Sequence, residues 1–246
     1  GSRNLGKQVA EIYQKLAIKC QSGWAEMMEE QNRLISEYKQ MGRKDELQEV
    51  IRNLHNSFKM HKPTIPSELS YVEGSFREDY LHDMRLCQQW ALINRKLIVD
   101  LLIDFLVERG YADASDDSFE SVHNHIGDDN IIRKGAISAR KGEKCIIPMN
   151  MRDGSLICIG KGNEDWNYSA PHGAGRVMSR SQAFKLISMN DFTQSMNGIY
   201  SETVTEATKD ECPMVYKPMP EILSNITDTV NVVNIIKPIF NFKAAE

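Results

Sequence analysis

Three short segments of the sequence combine glycine with polar or charged side chains. They cover residues 133–139 (RKGAISA), 160–163 (GKGN) and 172–176 (HGAGR). Glycine allows backbone N–H groups to approach a phosphate closely, and a neighbouring arginine or lysine adds charge-assisted donors. His172 heads the third segment, and a histidine can act as a base, a metal ligand or a nucleophile. Taken alone, each segment is more often a tight turn, and no Walker or dinucleotide-binding glycine pattern accompanies them.

Two further histidines flank an asparagine at residues 123–125 (HNH). If this stretch is a strand, His123 and His125 lie on one face, because alternate residues of a strand point the same way. Two histidines on one face are consistent with a metal site and equally with structural packing. The contiguous tripeptide is not the nuclease HNH motif, whose residues are dispersed.

Positive charge is concentrated in the same part of the sequence. The whole chain has 30 Lys or Arg against 34 Asp or Glu, a net charge of −4. Residues 131–185 nevertheless hold ten Lys or Arg and four Asp or Glu, a local excess of six positive charges. This distribution argues against a protein that binds polyanions over its whole surface, and it favours a basic site within an acidic chain.

The order and spacing of these segments resemble the C-terminal core of the RtcB family, the GTP-dependent RNA ligases of tRNA splicing and RNA repair. The resemblance rests on residues 133–143 (RKGAISARKGE), 146–148 (IIP) and 172–180 (HGAGRVMSR). Residues 1–9 (GSRNLGKQV) also resemble the family's HSGSR segment, entered just after its histidine. The resemblance covers essentially the whole chain, but only about the second half of a typical family member.

The resemblance implies that His172 is catalytic. In this family the histidine of the HGAGR segment attacks the α-phosphate of GTP and carries GMP covalently, while the flanking glycines hold the phosphate. Manganese(II) neutralises the polyphosphate, and one of its ligands is the histidine of an HN pair, which falls on His123. Asn124 would belong to the same nucleotide site, whereas His125 has no family role that we assign.

The resemblance also implies the remaining nucleotide contacts. A lysine near the C-terminus reads the guanine, and Lys243 takes that place, while Tyr216 matches an aromatic position beside the base. Arg176 and Arg180 would face nucleotide or RNA phosphates, or would only pair with carboxylates. The full set implied for nucleotide binding is His123, Asn124, Pro148, Met149, Asn150, Met151, Ser155, His172, Gly173, Ala174, Gly175, Tyr216 and Lys243.

The family's other metal ligands, an aspartate, a cysteine and two histidines, belong to an N-terminal half that this sequence lacks. A single histidine does not hold a catalytic divalent ion, since such sites usually need three protein ligands or more. We therefore expect the chain to be inactive alone. It would be a fragment, one part of a split protein that works with a separate N-terminal half, or a degenerate homologue.

Three functions from different classes follow from these residues. The leading hypothesis is the C-terminal part of an RNA ligase, which joins a 2′,3′-cyclic phosphate or 3′-phosphate RNA end to a 5′-hydroxyl end through GMP bound to His172. The second is a non-catalytic module that binds nucleotide or RNA. The third is a metal-dependent phosphohydrolase that uses His123 and His125.

The residues up to about 110 are predicted to form a helical region that precedes these segments. Apolar residues recur there every three or four positions, which predicts amphipathic helices. One helix is predicted through residues 5–27, a second through 47–58 and a third through 76–108. Pro63 and Pro66 end the second helix. We expect a helical hairpin and a long packing helix within a region that covers residues 1–110.

Residues 111–246 would form the guanylate-binding core that the resemblance implies. An acidic turn is predicted at 113–117, and short β-type runs cover residues 121–126, 131–137, 145–147, 156–159 and 230–242. Ser179 or Ser181 is a candidate cap for a helix ending near Ile187, and Pro218 or Pro220 opens another at 221–226. The expected fold class is α+β, with helices followed by a mixed, mostly antiparallel core.

The amino-acid composition excludes several classes of protein. The 41% of hydrophobic and 26% of charged residues are typical of a globular protein and exclude a disordered chain. No stretch approaches about 18 uninterrupted apolar residues and no secretion signal opens the chain, so we expect neither a membrane span nor export. Five dispersed cysteines without a CxxC pair predict reduced thiols and a cytoplasmic location.

Overall fold

The structure, a computed structural model, describes residues 2–113 and 118–243. The chain divides into two compact units, residues 1–114 and 115–246. The first unit is helical, and the second contains antiparallel strands together with short helices. The predicted α+β fold class is therefore confirmed. Most of the acidic turn predicted at 113–117 lies outside the described residues.

Over residues 2–113, the first unit is built from four α-helices, and the longest connection, residues 58–73, joins the last two. Its aromatic contacts bring the rings of Tyr13 and Tyr80 to 5.1 Å, and the Tyr13 hydroxyl donates a hydrogen bond to Asp83. No helix in the described residues is long and apolar enough to cross a membrane. The α-helices are α1 (Ser2–Cys20), α2 (Trp24–Gln40), α3 (Leu47–Ser57) and α4 (Gly74–Glu108).

The single helix predicted through residues 5–27 is wrong. Residues 21–23 form a turn between α1 and α2, and Gly23 adopts a φ of 86°. This left-handed conformation interrupts an α-helix, and glycine adopts it without the steric cost of a Cβ. The backbone N–H of His61 donates to the carbonyl of Ser22 and fixes the turn. Apolar periodicity continues across the break, so periodicity alone did not reveal it.

The second unit is built on antiparallel strands. Ile147 and Leu156 are fully buried, and neighbouring strand residues alternate between core and surface, as the period of two requires. The strands pair as β1 with β4 and, in a separate sheet, in the order β2-β3-β5. They are β1 (Ala136–Ser138), β2 (Lys144–Asn150), β3 (Gly154–Gly160), β4 (Ser169–Pro171) and β5 (Val230–Ile236).

Residues 121–126 do not form the predicted strand. Isolated bridges pair His123 with Ile137 and Ile126 with Ile132, and Asn124 has a φ of 53°. A left-handed residue breaks the alternation of side chains, so His123 and His125 do not share a strand face. The strand predicted at 131–137 is also displaced, because the observed β1 begins only at Ala136.

Short helices complete the second unit. Ser179 caps the first of them as predicted, because its hydroxyl accepts from the Gln182 N–H while the Gln182 side chain accepts from the Ser179 N–H. Pro218 precedes the last helix, and the intervening one was not predicted. All five cysteines carry free thiols, in agreement with the sequence. The helices are α5 (Arg180–Leu186), α6 (Met189–Ser195) and α7 (Met219–Asn225).

A buried ion pair fixes the loop that follows the HNH tripeptide. The side chains of Arg133 and Asp129 are 2% and 17% exposed, and two hydrogen bonds of 3.1 and 3.4 Å join them. Arg133 also donates to the hydroxyl of Ser169 in β4 at 2.9 Å, and its backbone N–H donates to the carbonyl of His125. The guanidinium therefore ties this loop to the strand that leads into His172.

Burial opposes ionisation of Asp129, but hydrogen bonds from Arg133, from the backbone of Ile131 and from Arg140 outweigh it. They hold the pKa of the Asp129 carboxyl well below its ordinary value. A carboxyl whose pKa is depressed in the folded state contributes stability above its unfolded pKa, and this contribution is lost as the pH falls.

Replacing Asp129 with asparagine should lower the free energy of unfolding by about 3 kcal/mol at neutral pH, because a buried guanidinium loses its compensating charge. Chemical unfolding followed by circular dichroism measures the change. The difference between wild type and variant should narrow as the pH falls below about 4, because the carboxyl of the unfolded chain then binds a proton while the lowered pKa keeps that of the folded chain ionised.

The matched control is Glu46→Gln, which removes a carboxylate from a solvent-exposed pair with Arg43. Exposed ion pairs contribute little to stability, so this variant should unfold like wild type. Equal losses in the two variants would contradict the role given to Asp129.

Candidate functional site

The second unit contains a cavity of about 730 Å³, which we call the His172 cavity. Every residue that the sequence analysis placed in the nucleotide or phosphate site lines it, except His123 and Asn124. The lining also includes Glu211, which the sequence analysis missed. The expected residues that line it are Pro148, Met149, Asn150, Met151, Ser155, His172, Gly173, Ala174, Gly175, Arg176, Arg180, Tyr216 and Lys243.

The β2–β3 hairpin positions one wall of this cavity. Pro148 lies opposite Ser155 in the register, and an irregularity between Pro148 and Asn150 turns the strand end. The carbonyl of Pro148 accepts a hydrogen bond from the Ala174 N–H at 3.1 Å, which holds the HGAGR segment against β2. A Cβ on Gly173 would lie 3.1 Å from the same carbonyl oxygen, so glycine permits this close approach.

His172 follows β4 directly and contributes its imidazole to the cavity wall. Its Nδ1 is buried and has no hydrogen-bond partner among the described residues. Buried polar atoms are nearly always paired in proteins, and an exception calls for an explanation such as a catalytic role or a ligand. The ring lies parallel to that of His123, with centroids 5.3 Å apart and an angle of 11° between the planes.

His123 and Asn124 lie beside the His172 cavity and do not line it. The Asn124 side-chain oxygen accepts a hydrogen bond of 2.6 Å from the Gly135 N–H, so this asparagine fixes the RKGAISA segment near His172. His123 reaches the site through its ring stacking on His172. The two residues therefore hold neighbouring segments together at the edge of the cavity.

His125 does not lie at the His172 cavity. It lines a separate polar cavity with Asp129, Arg133 and Glu143, and burial together with the charge of Arg133 lowers its pKa. His123 and His125 therefore do not converge, which removes the geometric basis of the phosphohydrolase hypothesis. Within residues 2–113 and 118–243, no group of three or more His, Cys, Asp or Glu side chains is placed to hold a metal ion.

Glu211 organises the cationic side of the cavity. One of its carboxylate oxygens accepts from Arg176 at 2.6 Å, and the other accepts from the Tyr216 hydroxyl at 2.9 Å and lies 3.2 Å from the Lys243 amine. The Arg176 guanidinium lies over the Tyr216 ring at 5.1 Å. Arg180 also approaches a carboxylate, that of Asp210, at 3.5 Å. Both arginines are therefore paired with acidic side chains.

The electrostatic surroundings keep this network charged. Burial opposes ionisation of Glu211, yet the Tyr216 hydrogen bond and the charges of Lys243 and Arg176 prevail, so the pKa of Glu211 is lowered. Burial and the neighbouring carboxylate raise the pKa of Tyr216, which keeps its hydroxyl protonated as a donor. The site thus presents a histidine, two lysines and two arginines, a composition typical of phosphate-ester binding.

The sequence comparison identifies the family. The model of the tRNA-splicing ligase RtcB family matches residues 1–244, so the chain belongs to the RtcB family. It is 33% identical over 192 residues to the RNA-splicing ligase RtcB of Escherichia coli K12, an alignment that covers 72% of this chain and 47% of that protein. It is 38% identical over 86 residues to the tRNA-splicing ligase RtcB of Aeropyrum pernix, covering 33% of this chain and 18% of that protein.

A second Escherichia coli relative, RNA-splicing ligase RtcB1, is also 33% identical over 192 residues, with the same coverage of 72% and 47%. The chain thus spans about half the length of the curated Escherichia coli relatives that it matches.

Glu211→Gln should lower the free energy of unfolding by about 1–2 kcal/mol at neutral pH, because charge-assisted hydrogen bonds from three partners become neutral or are lost. Chemical unfolding measures the effect. Glu221→Gln is the control, since it removes a carboxylate from an ion pair with Lys217 in which the side chains are 44% and 45% exposed. An equal loss in the control would show that Glu211 does not organise the network.

Proposed function

We propose that this chain forms the C-terminal part of an RNA ligase that joins 2′,3′-cyclic phosphate or 3′-phosphate RNA ends to 5′-hydroxyl ends. The observation that carries the proposal is the position of His172. An imidazole whose Nδ1 is buried and unpaired lies at the wall of a cavity rich in cations, in a chain that belongs to the RtcB family. GTP is the proposed co-substrate, and an RNA with broken ends, such as tRNA halves, is the proposed substrate.

The proposed reaction begins with attack of a His172 ring nitrogen on the α-phosphate of GTP. A nitrogen–phosphorus bond forms, the bond between the α-phosphorus and the bridging oxygen breaks, and pyrophosphate leaves. A 2′,3′-cyclic phosphate end would first be hydrolysed to a 3′-phosphate. An oxygen of the 3′-phosphate then attacks the GMP phosphorus, the nitrogen–phosphorus bond to His172 breaks, and the RNA end carries GMP through a new phosphoanhydride bond. The 5′-hydroxyl of the second RNA end displaces GMP, which completes the phosphodiester bond.

Several groups of the His172 cavity would orient the guanylate. The backbone N–H groups of Gly173 and Gly175 are close to the nucleophile and would hold the α-phosphate, since that of Ala174 is bonded to Pro148. Lys243 would donate to the guanine oxygen, and Tyr216 would lie beside the base. Because Glu211 holds the side chains of both residues, their positions are set before the nucleotide arrives. Arg176 and Arg180 would contact phosphates once these displace the carboxylates that they now face.

Manganese(II) is part of the proposal as the ion that the family resemblance implies. His123 is its candidate ligand, and the described residues do not supply enough further ligands to hold it. The proposed steps therefore involve only groups of this chain, GTP and RNA. The additional aspartate, cysteine and histidines would come from an N-terminal half, and without them we expect weak manganese binding and no ligation.

The second candidate is a non-catalytic module that binds nucleotide or RNA. The observation that favours it is the incomplete metal-ligand set around His123. Such a module would bind GTP or RNA through the same cations and would leave His172 unmodified. Covalent labelling therefore separates the two candidates.

His172→Ala should abolish covalent guanylation, because it removes the proposed nucleophile. The measurement is incubation with α-labelled GTP and manganese, with the chain alone and with the N-terminal half present, followed by denaturing electrophoresis. Circular dichroism confirms that the variant is folded. His82→Ala, in helix α4, should label like wild type. Persistent labelling of the His172 variant would refute the assignment.

Lys243→Met should reduce the preference for GTP over ATP, because a lysine donates to the guanine oxygen whereas adenine presents an amino donor at that position. A loss of discrimination of about tenfold is expected for one hydrogen bond to a charged group. Lys237 also lines the cavity, so Lys237→Met should weaken both nucleotides alike. Competition of unlabelled GTP and ATP in the labelling assay measures both effects, and unchanged discrimination would rule out guanine reading by Lys243.

A further inference from the structure

The second unit contains another cavity, which lies close to His172. Its volume is about 350 Å³, within the range of roughly 300–1,000 Å³ that is common for small-ligand sites. Gly135 and Pro171 line it, and Pro171 immediately precedes His172. A Cβ placed on Gly135 would lie 3.7 Å from Cε1 of the His172 ring. We call it the Trp166 cavity, after its largest side chain.

Trp166 gives this cavity an exposed aromatic surface. Its side chain lines the cavity and is 55% exposed, and Ile132, which is 75% exposed, also lines it. A large apolar side chain in contact with solvent is common, but a tryptophan at a cavity wall offers a flat π surface. Nucleobases stack on such surfaces with little dependence on their sequence.

The local backbone holds Trp166 in place. The Asn163 side chain accepts from the Asp165 N–H and donates to the carbonyl of Asp228. Asn167 and Tyr168, which follow the tryptophan, have φ values of 49° and 51°. Two successive left-handed residues other than glycine are unfavourable, so the surrounding bonds must enforce this turn. The turn presents Trp166 at a fixed position.

The charge around the cavity favours a polyanionic occupant. Lys134 lines the cavity and is exposed to solvent, and no Asp or Glu is among the described residues that line it. The polar side chain of Asn167 also lines it, is exposed and can bond to the edge of a base. A cavity with an aromatic surface, a lysine and polar groups matches a nucleotide within a chain of phosphates.

We propose that the Trp166 cavity binds the terminal nucleotide of an RNA end, with its base stacked on Trp166. This inference rests on the proposed function, because proximity to His172 places that terminus next to the guanylated histidine. Trp166 is then a substrate-positioning residue: it contributes to binding of the RNA and has no part in guanylation of His172.

The first test uses Trp166 as its own probe. The chain has three tryptophans, so the double variant Trp24→Phe, Trp90→Phe leaves Trp166 as the only tryptophan, and excitation at the red edge of the tryptophan band reports on it. RNA oligonucleotides that end in a 3′-phosphate or in a 5′-hydroxyl are added separately, with binding measured in parallel by fluorescence anisotropy of labelled RNA. We expect saturable quenching of Trp166 by at least one of them, and the stronger quencher identifies the end.

Three results of this titration would overturn the proposal. One is bound RNA that leaves the emission of Trp166 unchanged. Another is equal quenching by GTP alone, which would assign the cavity to the mononucleotide. The third is an emission that varies with protein concentration in the absence of RNA, which would indicate a second copy of the chain as the occupant.

The second test separates RNA binding from guanylation in a ligation-competent preparation. Trp166→Ala should raise the KM for RNA about tenfold, as expected for the loss of one stacked base, while labelling of His172 by GTP stays at the wild-type level. Trp166→Phe should restore most of the affinity. Phe184→Ala, an exposed aromatic of α5, is the control.

The two proposals fail in different ways. If GTP labels His172 but Trp166→Ala behaves like Phe184→Ala, the RNA subsite is wrong and the ligase chemistry stands. If RNA quenches Trp166 but His172 is never labelled, the subsite stands and the chemistry is wrong. If RNA binds neither the chain alone nor the ligation-competent preparation, the RNA subsite is wrong, and labelling of His172 by GTP decides the chemistry separately.

Discussion

The buried guanidinium of Arg133 fixes the distance between two segments that must meet at His172. It bonds to Asp129 in the loop after the HNH tripeptide and to Ser169 in β4, and the Arg133 side chain itself is 2% exposed. A charge buried in this way tolerates little displacement, because moving either partner leaves it uncompensated. The loop and the strand are therefore held as one body. The parallel stacking of His123 on His172, and the anchoring of Gly135 by Asn124, depend on that constraint.

Close backbone approach is the second constraint on the site. The carbonyl of Pro148 bonds to the Ala174 N–H, and Gly173 passes the same carbonyl where a side chain would be crowded. At Gly154, a Cβ would overlap the backbone of Ile236 at the end of β5. Glycine is thus required where β2, β3 and β5 meet around the His172 cavity. The cavity is formed by backbones in contact, which limits how far its walls can move.

The parts of this structure that the sequence predicted are those with a local physical signal. Apolar periodicity identified α3 and α4, and the Ser179 side chain identified the start of α5. The break at Gly23 was missed because the apolar stripe continues through it. Residues 121–126 were predicted as a strand because a left-handed Asn124 leaves no trace in composition.

Glu211 was missed because its importance comes from Arg176, Tyr216 and Lys243, which lie elsewhere in the sequence and meet only in the fold. The HGAGR and RKGAISA segments were found through their glycines and charged side chains. Their roles were assigned through family resemblance and remain predictions.

The pairing of the cavity's cations with carboxylates bears on which ligand can bind. Arg176 faces Glu211, Arg180 faces Asp210, and Lys243 also faces Glu211. An anion that enters must compete with these carboxylates, and the lowered pKa of Glu211 keeps that competitor charged at neutral pH. A singly charged anion gains little from such an exchange, because the two carboxylates remain nearby and repel it. A ligand with several phosphate charges and a base gains more contacts on binding, since it can contact the cations, the glycine-rich backbone and Tyr216 at once. We therefore expect the acidic residues to favour the proposed nucleotide over a small, singly charged anion, a selectivity that a purely basic pocket would lack.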